Sequence, residues 1–491
     1  FDANSSDSLS RTPSSAGNRL TWTFSCWVKR SSLAATNGAR ILAAYNGSNG
    51  EYQSIIKFRS TDKLQIFNAP SGSADTNLQT NALFRDVSAW YHIVVAVDMT
   101  QSTASDRVNL YINGVQETSF STENYGSQNT SWWFNNNSEQ SIGRGGAYNS
   151  QYFGGYLAEF NLIDGLQLTP ASFGETNVLT GQWNPKKYVG SYGTNGFYLN
   201  FSDNSGTTAT TLGKDYSGNG NNYTPYGFSV SAGSGNDSLE DTPTNNFPTL
   251  NPLAPFGSTA PSLSNGNLDF TMTSNNMYPM STFTIPKSGK WYAEVVFTAD
   301  SISQATVIVS NPVLQQNSSG ANRHNGINYY GTDILVDNSG VQSSVTAVGL
   351  NTTIGICVDR DAGTVLFKNN NSNVGVAVNL SSVANIDDLV FAVGRGSSGG
   401  SNITGYFNFG QRPFTYTPPT GFVSLSSANL PDSTIKLPDK HFETLLYTGN
   451  GSNGHAITGL EFQPDWLWLK KRNSTGHHGI YDAIRGVDKR L

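Results

Sequence analysis

Residues Trp90-Tyr-His-Ile-Val-Val-Ala-Val-Asp98 constrain this chain more than any other stretch. The run alternates and then turns continuously apolar, as a strand in the core of a sheet does. Val108-Asn-Leu-Tyr-Ile-Asn113-Gly114 follows and ends in Asn-Gly, the strongest short signal for a hairpin turn. The two runs read as neighbouring strands of a large antiparallel sandwich. Helical signals are nearly absent, because no long stripe of apolar residues recurs at i, i+3, i+4 and i+7. Composition agrees: 50 glycines, 12% aromatic and only 13% charged residues, where about a quarter charged is usual. Short strands joined by tight turns have this balance.

The same numbers exclude several functions. Net charge is −6, and no Lys/Arg cluster recurs before the last thirty residues, so a nucleic-acid groove is not expected. No apolar run approaches membrane-spanning length. Cys26 and Cys357 each lie in an apolar run and in different blocks, so they read as small buried hydrophobes and not as a disulfide. The chain opens on Phe1 instead of Met, which leads us to expect processing or a longer parent chain.

At 491 residues two to four domains are expected. Residues 1–230 form one block, with strand patterns at Thr21–Val28, Arg40–Tyr45, Gln53–Phe58, Lys63–Phe67 and Gly155–Asp164. Residues 231–262 read as a linker without period, with a proline every few positions from Pro243. Residues 263–430 form a second block, with an alternating strand at Ser288–Phe297 and a hairpin at Thr353–Asn370 that turns through Asp359-Arg-Asp361-Ala-Gly363. Residues 431–491 begin a third β unit, with strands expected at Phe442–Tyr447 and Trp466–Lys470. Too few strands follow to bury a core, so more protein or a partner chain is expected to complete it.

The first block resembles the laminin-G-like branch of the concanavalin A-like jelly rolls. The likeness lies in the Trp-x-His-Val-type strand, the Leu-Tyr-x-Asn-Gly hairpin, and Gly155–Asp164 followed by Leu168-Thr-Pro170-Ala-Ser-Phe173. The second resembles SPRY domains, through Gly289-Lys-Trp-Tyr-Ala-Glu-Val295 and the Asp-x-Asp-x-Gly hairpin. The fold class expected is therefore all-β, as tandem antiparallel sandwiches with an incomplete C-terminal β unit. The order of the blocks resembles the virion structural and tail-fibre proteins of tailed bacteriophages. That resemblance implies an adhesive or architectural part of an extracellular virus particle. Its partners would be other virion proteins and host-surface glycan, and a homo-oligomer is expected, a trimer if the part is a fibre. A capsid-decorating or tail-scaffold role without ligand is the alternative.

No enzyme is expected. Glycosidases on this sandwich need two carboxylates facing one substrate, and no Glu-x-Asp-x-(x)-Glu occurs. Glu159 and Asp164 are five apart in one strand and face opposite sides. A glycan-degrading activity is the distant third reading. No cofactor is expected except calcium, for which Asp98 and Asp106 flank a polar loop. The competing reading of Asp98 is a turn former. For a glycan, Trp132 and Trp133 with Tyr148 would stack on sugar faces, and Asn135, Asn136 and Asn137 would bond hydroxyls. Three consecutive aromatics cannot share one side of a strand. The competing reading is that these rings cap the sandwich edge or pack on a neighbouring subunit.

Overall fold

The computed structural model describes residues 1–491 apart from 36–37, 47–51, 146–150, 255–259, 275–276, 300–304, 313–325, 338, 384, 396–401, 487–488 and 491. Phe1–Glu175 and Pro185–Pro431 make one compact unit; Thr176–Asn184 and Asp432–Leu491 make another.

The first sandwich opens with β1 (Ser8–Arg11), β2 (Thr21–Arg30), β3 (Ala39–Asn46), β4 (Tyr52–Phe58), β5 (Leu64–Ala69) and β6 (Thr76–Thr80). Then come β7 (Tyr91–Asp98), β8 (Val108–Ile112), β9 (Val115–Gln116), β10 (Phe120–Tyr125), β11 (Gln140–Ile142) and β12 (Gly155–Asp164). Two short strands, β13 (Gly174–Thr176) and β14 (Trp183–Pro185), precede β15 (Phe197–Leu199) and β16 (Thr224–Tyr226). One sheet runs β10-β6-β5-β4-β3-β11-β1-β16, the other β15-β12-β2-β7-β8-β9. The alternation in sequence becomes alternation across the sheet. Trp22, Phe24, Cys26 and Val28 of β2 pack inward with Ile93, Val95 and Val97 of β7, while Thr23, Ser25, Trp27 and Lys29 point out. Glu159, with φ of 51°, sits at a β-bulge in β12. The bulge moves Phe160 and Leu162 onto the inner face that Leu157 occupies before it.

The second sandwich has its own core, from Leu250 to Leu425. Its larger sheet is centred on Lys290–Ala299, which pairs antiparallel with Thr353–Asp359 and Ile403–Asn408. The expected hairpin is present, Thr353–Asp359 against Thr364–Asn369. Asp359 accepts from the amides of Asp361 and Ala362 (3.1 and 2.8 Å) and pairs with Lys290 (2.8 Å), so the Asp-x-Asp-x-Gly motif is a hairpin turn. Glu294 is buried and accepts from the amides of Thr415 and Tyr416 (2.8 and 3.0 Å), which ties down the chain after Ile403–Asn408.

Two expectations are corrected. The described part of 231–262 is not a loose tether: Asp241, Phe247 and Thr249 are buried, and Leu250 belongs to the second core. Phe442–Tyr447 forms no strand. Phe442, Leu446 and Tyr447 are exposed there, and without a neighbouring strand to accept its amides the run stays open. Trp466–Leu469 does form a strand, paired with Gly479–Asp482.

Candidate functional site

The aromatic segment after β10 is a plug and not a platform. Its backbone is coil and turn, so its side chains do not alternate as those of a strand would. Trp132 and Phe134 both turn into the core and meet Trp22 edge-on, each at 5.1 Å. Trp132 is fully buried, which removes it as a stacking surface. Trp133 is half-buried under the Arg19 guanidinium, 5.0 Å from its ring, and its amide donates to Ser54 Oγ (2.8 Å). Asn135 is buried with φ of 62°; its side chain donates to the Asn18 carbonyl (2.9 Å), and its own carbonyl accepts from Gly17. Asn136 is buried, and Asn137 is exposed. Tyr148 lies outside the described residues. The competing reading, rings that cap the sandwich, describes Trp132 and Phe134.

Asp98 and Asp106 do not fit a calcium ion. One Asp98 carboxylate oxygen accepts from the amide and hydroxyl of Thr100 (3.0 and 2.6 Å), and the other accepts from Gln101 Nε2 (2.6 Å). Burial raises this carboxyl, and these hydrogen bonds outweigh it and hold it below the ordinary range. Asp106 is exposed in a 3-10 turn, Ala104–Asp106. Among the described residues no group of three His, Cys, Asp or Glu side chains is placed to hold a metal. Asp98 is the turn former.

The outer face of the β12-β2-β7 sheet is covered at both ends. At one end Val94, Ile163 and Tyr198 lie under Phe173 and Tyr192. At the other, Lys29 is fully buried and donates to Asp241 (2.7 Å), Asn246 Oδ1 (2.7 Å) and the Phe247 carbonyl (2.6 Å), which uses all three of its N–H bonds. Trp90 Nε1 donates to the second Asp241 oxygen (3.0 Å), and Tyr156 OH to the Gly266 carbonyl (2.7 Å). Burial pushes the Lys29 ammonium down and the Asp241 carboxyl up, each opposed by the other's charge. Between the two covered ends, His92 stacks on Trp27 at 4.8 Å.

The opposite sheet carries polar side chains on its outer face, where Arg40, Ile55 and Gln65 are buried. Ser54, Ile56 and Phe58 of β4 and Leu64 and Ile66 of β5 point inward, so Gln53, Ile55, Lys57, Gln65 and Phe67 point out. The register lines them up: Arg40 opposes Lys57, which opposes Gln65, which opposes Gln79; Ile55 opposes Phe67, which opposes Asn77. Arg40 reaches along the sheet to Gln53 Oε1 (3.4 Å), Arg59 donates to Gln65 Oε1 (3.2 Å), and Gln65 Nε2 donates to Asn77 Oδ1 (2.8 Å). Phe67, Asn77, Gln79, Gln53 and Lys57 are half-buried, as is Tyr45 at the rim. Rings, amides and cations thus share one sheet face. The outward positions of three consecutive strands were readable as Gln53-x-x-x-Lys57, Gln65-x-Phe67 and Asn77-x-Gln79.

No curated protein matches the chain significantly. Among solved structures, the SPRY domain of human HERC1 is 14% identical over 28% of this chain and 87% of its own (TM-score 0.23). Domains LG4-5 of the mouse laminin alpha1 chain are 9% identical over 82% of this chain and 84% of their own (TM-score 0.29). A putative carbohydrate binding protein from Bacteroides ovatus is 14% identical over 45% of this chain and 55% of its own (TM-score 0.29). Residues 437–491 match a domain of unknown function, DUF7483. The chain is all-β, and its residues 4–172 match the family model described as the concanavalin A-like lectin/glucanases superfamily.

Proposed function

We propose that the first sandwich is a saccharide-binding module that uses the outer face of its larger sheet, in a surface protein of a tailed-phage virion. The observation that carries the reading is the face itself. Phe67 and Tyr45 offer half-buried rings, and Gln53, Asn77 and Gln79 offer half-buried amides, on one face of that sheet. Ring faces stack on apolar sugar faces and amides bond hydroxyls. A weak site of this kind gains avidity from repeated copies, which suits a homo-oligomeric appendage. The virion setting is supported by the order of the sequence blocks. No reaction is part of the proposal. Glu159 is bonded to the Tyr198 hydroxyl (2.6 Å), and Asp164 accepts from the amides of Asn18 and Asn195 (2.7 and 2.9 Å), so both carboxylates serve the fold.

The test is a glycan array probed with the full chain and with Phe67→Ala plus Asn77→Ala. The expected result is saccharide binding that the double substitution weakens about tenfold or more while thermal stability changes little. Equal binding by both proteins contradicts the assignment of the face.

A further inference from the structure

We propose that Lys29 and Asn246 become joined by an isopeptide bond, with the Asp241 carboxyl as the catalytic acid and base. The three side chains meet between β2 of the first sandwich and the segment that leads into the second core. Lys29 Nζ stands 2.7 Å from Asn246 Oδ1 and 2.7 Å from Asp241 Oδ2. The amide carbon is one bond beyond the oxygen that Nζ already touches. The Lys29 and Asp241 side chains are fully buried, and Asn246 is half-buried. An amine, an amide and a carboxyl held together out of water are the reactants and the catalyst of a transamidation.

Each group is held by a further bond. Asn246 Nδ2 donates to the Ser88 carbonyl (2.7 Å), which turns Oδ1 towards Nζ. Trp90 Nε1 donates to Asp241 Oδ1 (3.0 Å), which leaves Oδ2 for the amine. Lys29 Nζ also donates to the carbonyl of Phe247, the residue after Asn246 (2.6 Å). Burial pushes the ammonium down and the carboxyl up, against the attraction of their opposite charges, and so favours passage of a proton from Nζ to Oδ2. The neutral amine then attacks Asn246 Cγ. The Nζ–Cγ bond forms, the Cγ–Nδ2 bond breaks, and a second proton moves from Nζ to Nδ2 by way of the Asp241 carboxyl. Nδ2 leaves as ammonia, and nothing is oxidised or reduced. Reactants held in this way reach effective concentrations of about 10⁵–10⁸ M, and a positioned acid and base adds about 10²–10⁴-fold. The half-buried side of Asn246 gives the ammonia a way out, and its escape makes the step irreversible. The product ties β2 covalently to residues 241–247.

The test is mass spectrometry of the full chain, intact and after tryptic digestion under denaturing conditions. The expected intact mass lies below that of the sequence by one molecule of ammonia, and the digest joins the peptide bearing Lys29 to the one bearing Asn246. Asn246→Ala and Asp241→Ala should each show the full mass of their own sequences and two separate peptides. A wild-type mass equal to that of the sequence overturns the proposal, whether or not the variants fold. So does an ammonia loss confined to one peptide, as succinimide formation at an Asn-Gly pair such as Asn113-Gly114 would give. Loss of one water instead, with Lys29 joined to Asp241, overturns the choice of Asn246. A link to Asn246 that persists in Asp241→Ala overturns the role given to the carboxyl.

Discussion

His92 is the residue of the opening strand that most resembles a chemical group and does the least chemistry. It is fully buried, stacked nearly parallel on Trp27, with Nε2 2.9 Å from Ser25 Oγ. Burial pushes its imidazole down to about 3 from the ordinary 6.5, so it stays neutral while the chain is folded. The unfolded chain takes up the proton near 6.5 and the folded one only near 3. The unfolded state therefore binds more protons between these values, and stability falls as pH drops through that window, by about 1.4 kcal/mol per unit. In urea unfolding from pH 7 to pH 4.5, His92→Gln should be less stable than wild type at pH 7 but lose about 2–3 kcal/mol less on acidification. Equal losses would show that His92 is not the group that titrates.

Among the elements, strands were legible and coverage was not. Gly155–Asp164 and the Thr353–Asn370 hairpin were readable because apolar alternation and turn residues are local signals. Which way Trp132 faces is not legible locally, because its surroundings are remote in sequence. Trp22, the ring it packs on, is 110 residues away, and a coil segment leaves no period from which to tell inside from outside. The proline-bearing stretch from Asp237 to Pro252 looked like a tether for the same reason. Its Asp241 is buried by Lys29, far upstream, and no pattern within the stretch announces that partner. The face that includes Lys57, Gln65, Phe67 and Asn77 was legible strand by strand. Its cross-strand neighbours were not, because Arg40 and Lys57 become neighbours only through the register of β3 on β4.

At the scale of the whole molecule, the buried Lys29–Asp241 pair makes one body of two sandwiches with separate cores. Every N–H of the ammonium has an acceptor, and both carboxylate oxygens have donors. Removing one partner leaves the other charged and dry, which costs about 3–5 kcal/mol. Lys29→Met should therefore split a single denaturant transition into two and expose residues 231–262 to proteolysis; one transition at the wild-type midpoint would mean that the pair does not couple the sandwiches. The same contacts cover one sheet of the first sandwich, and the proposed ligand face lies on the other. A structure of the full chain with bound saccharide tests that most directly. The expected density lies against Phe67 and Asn77. A sugar seated on residues 130–137, or on the second sandwich, would contradict it.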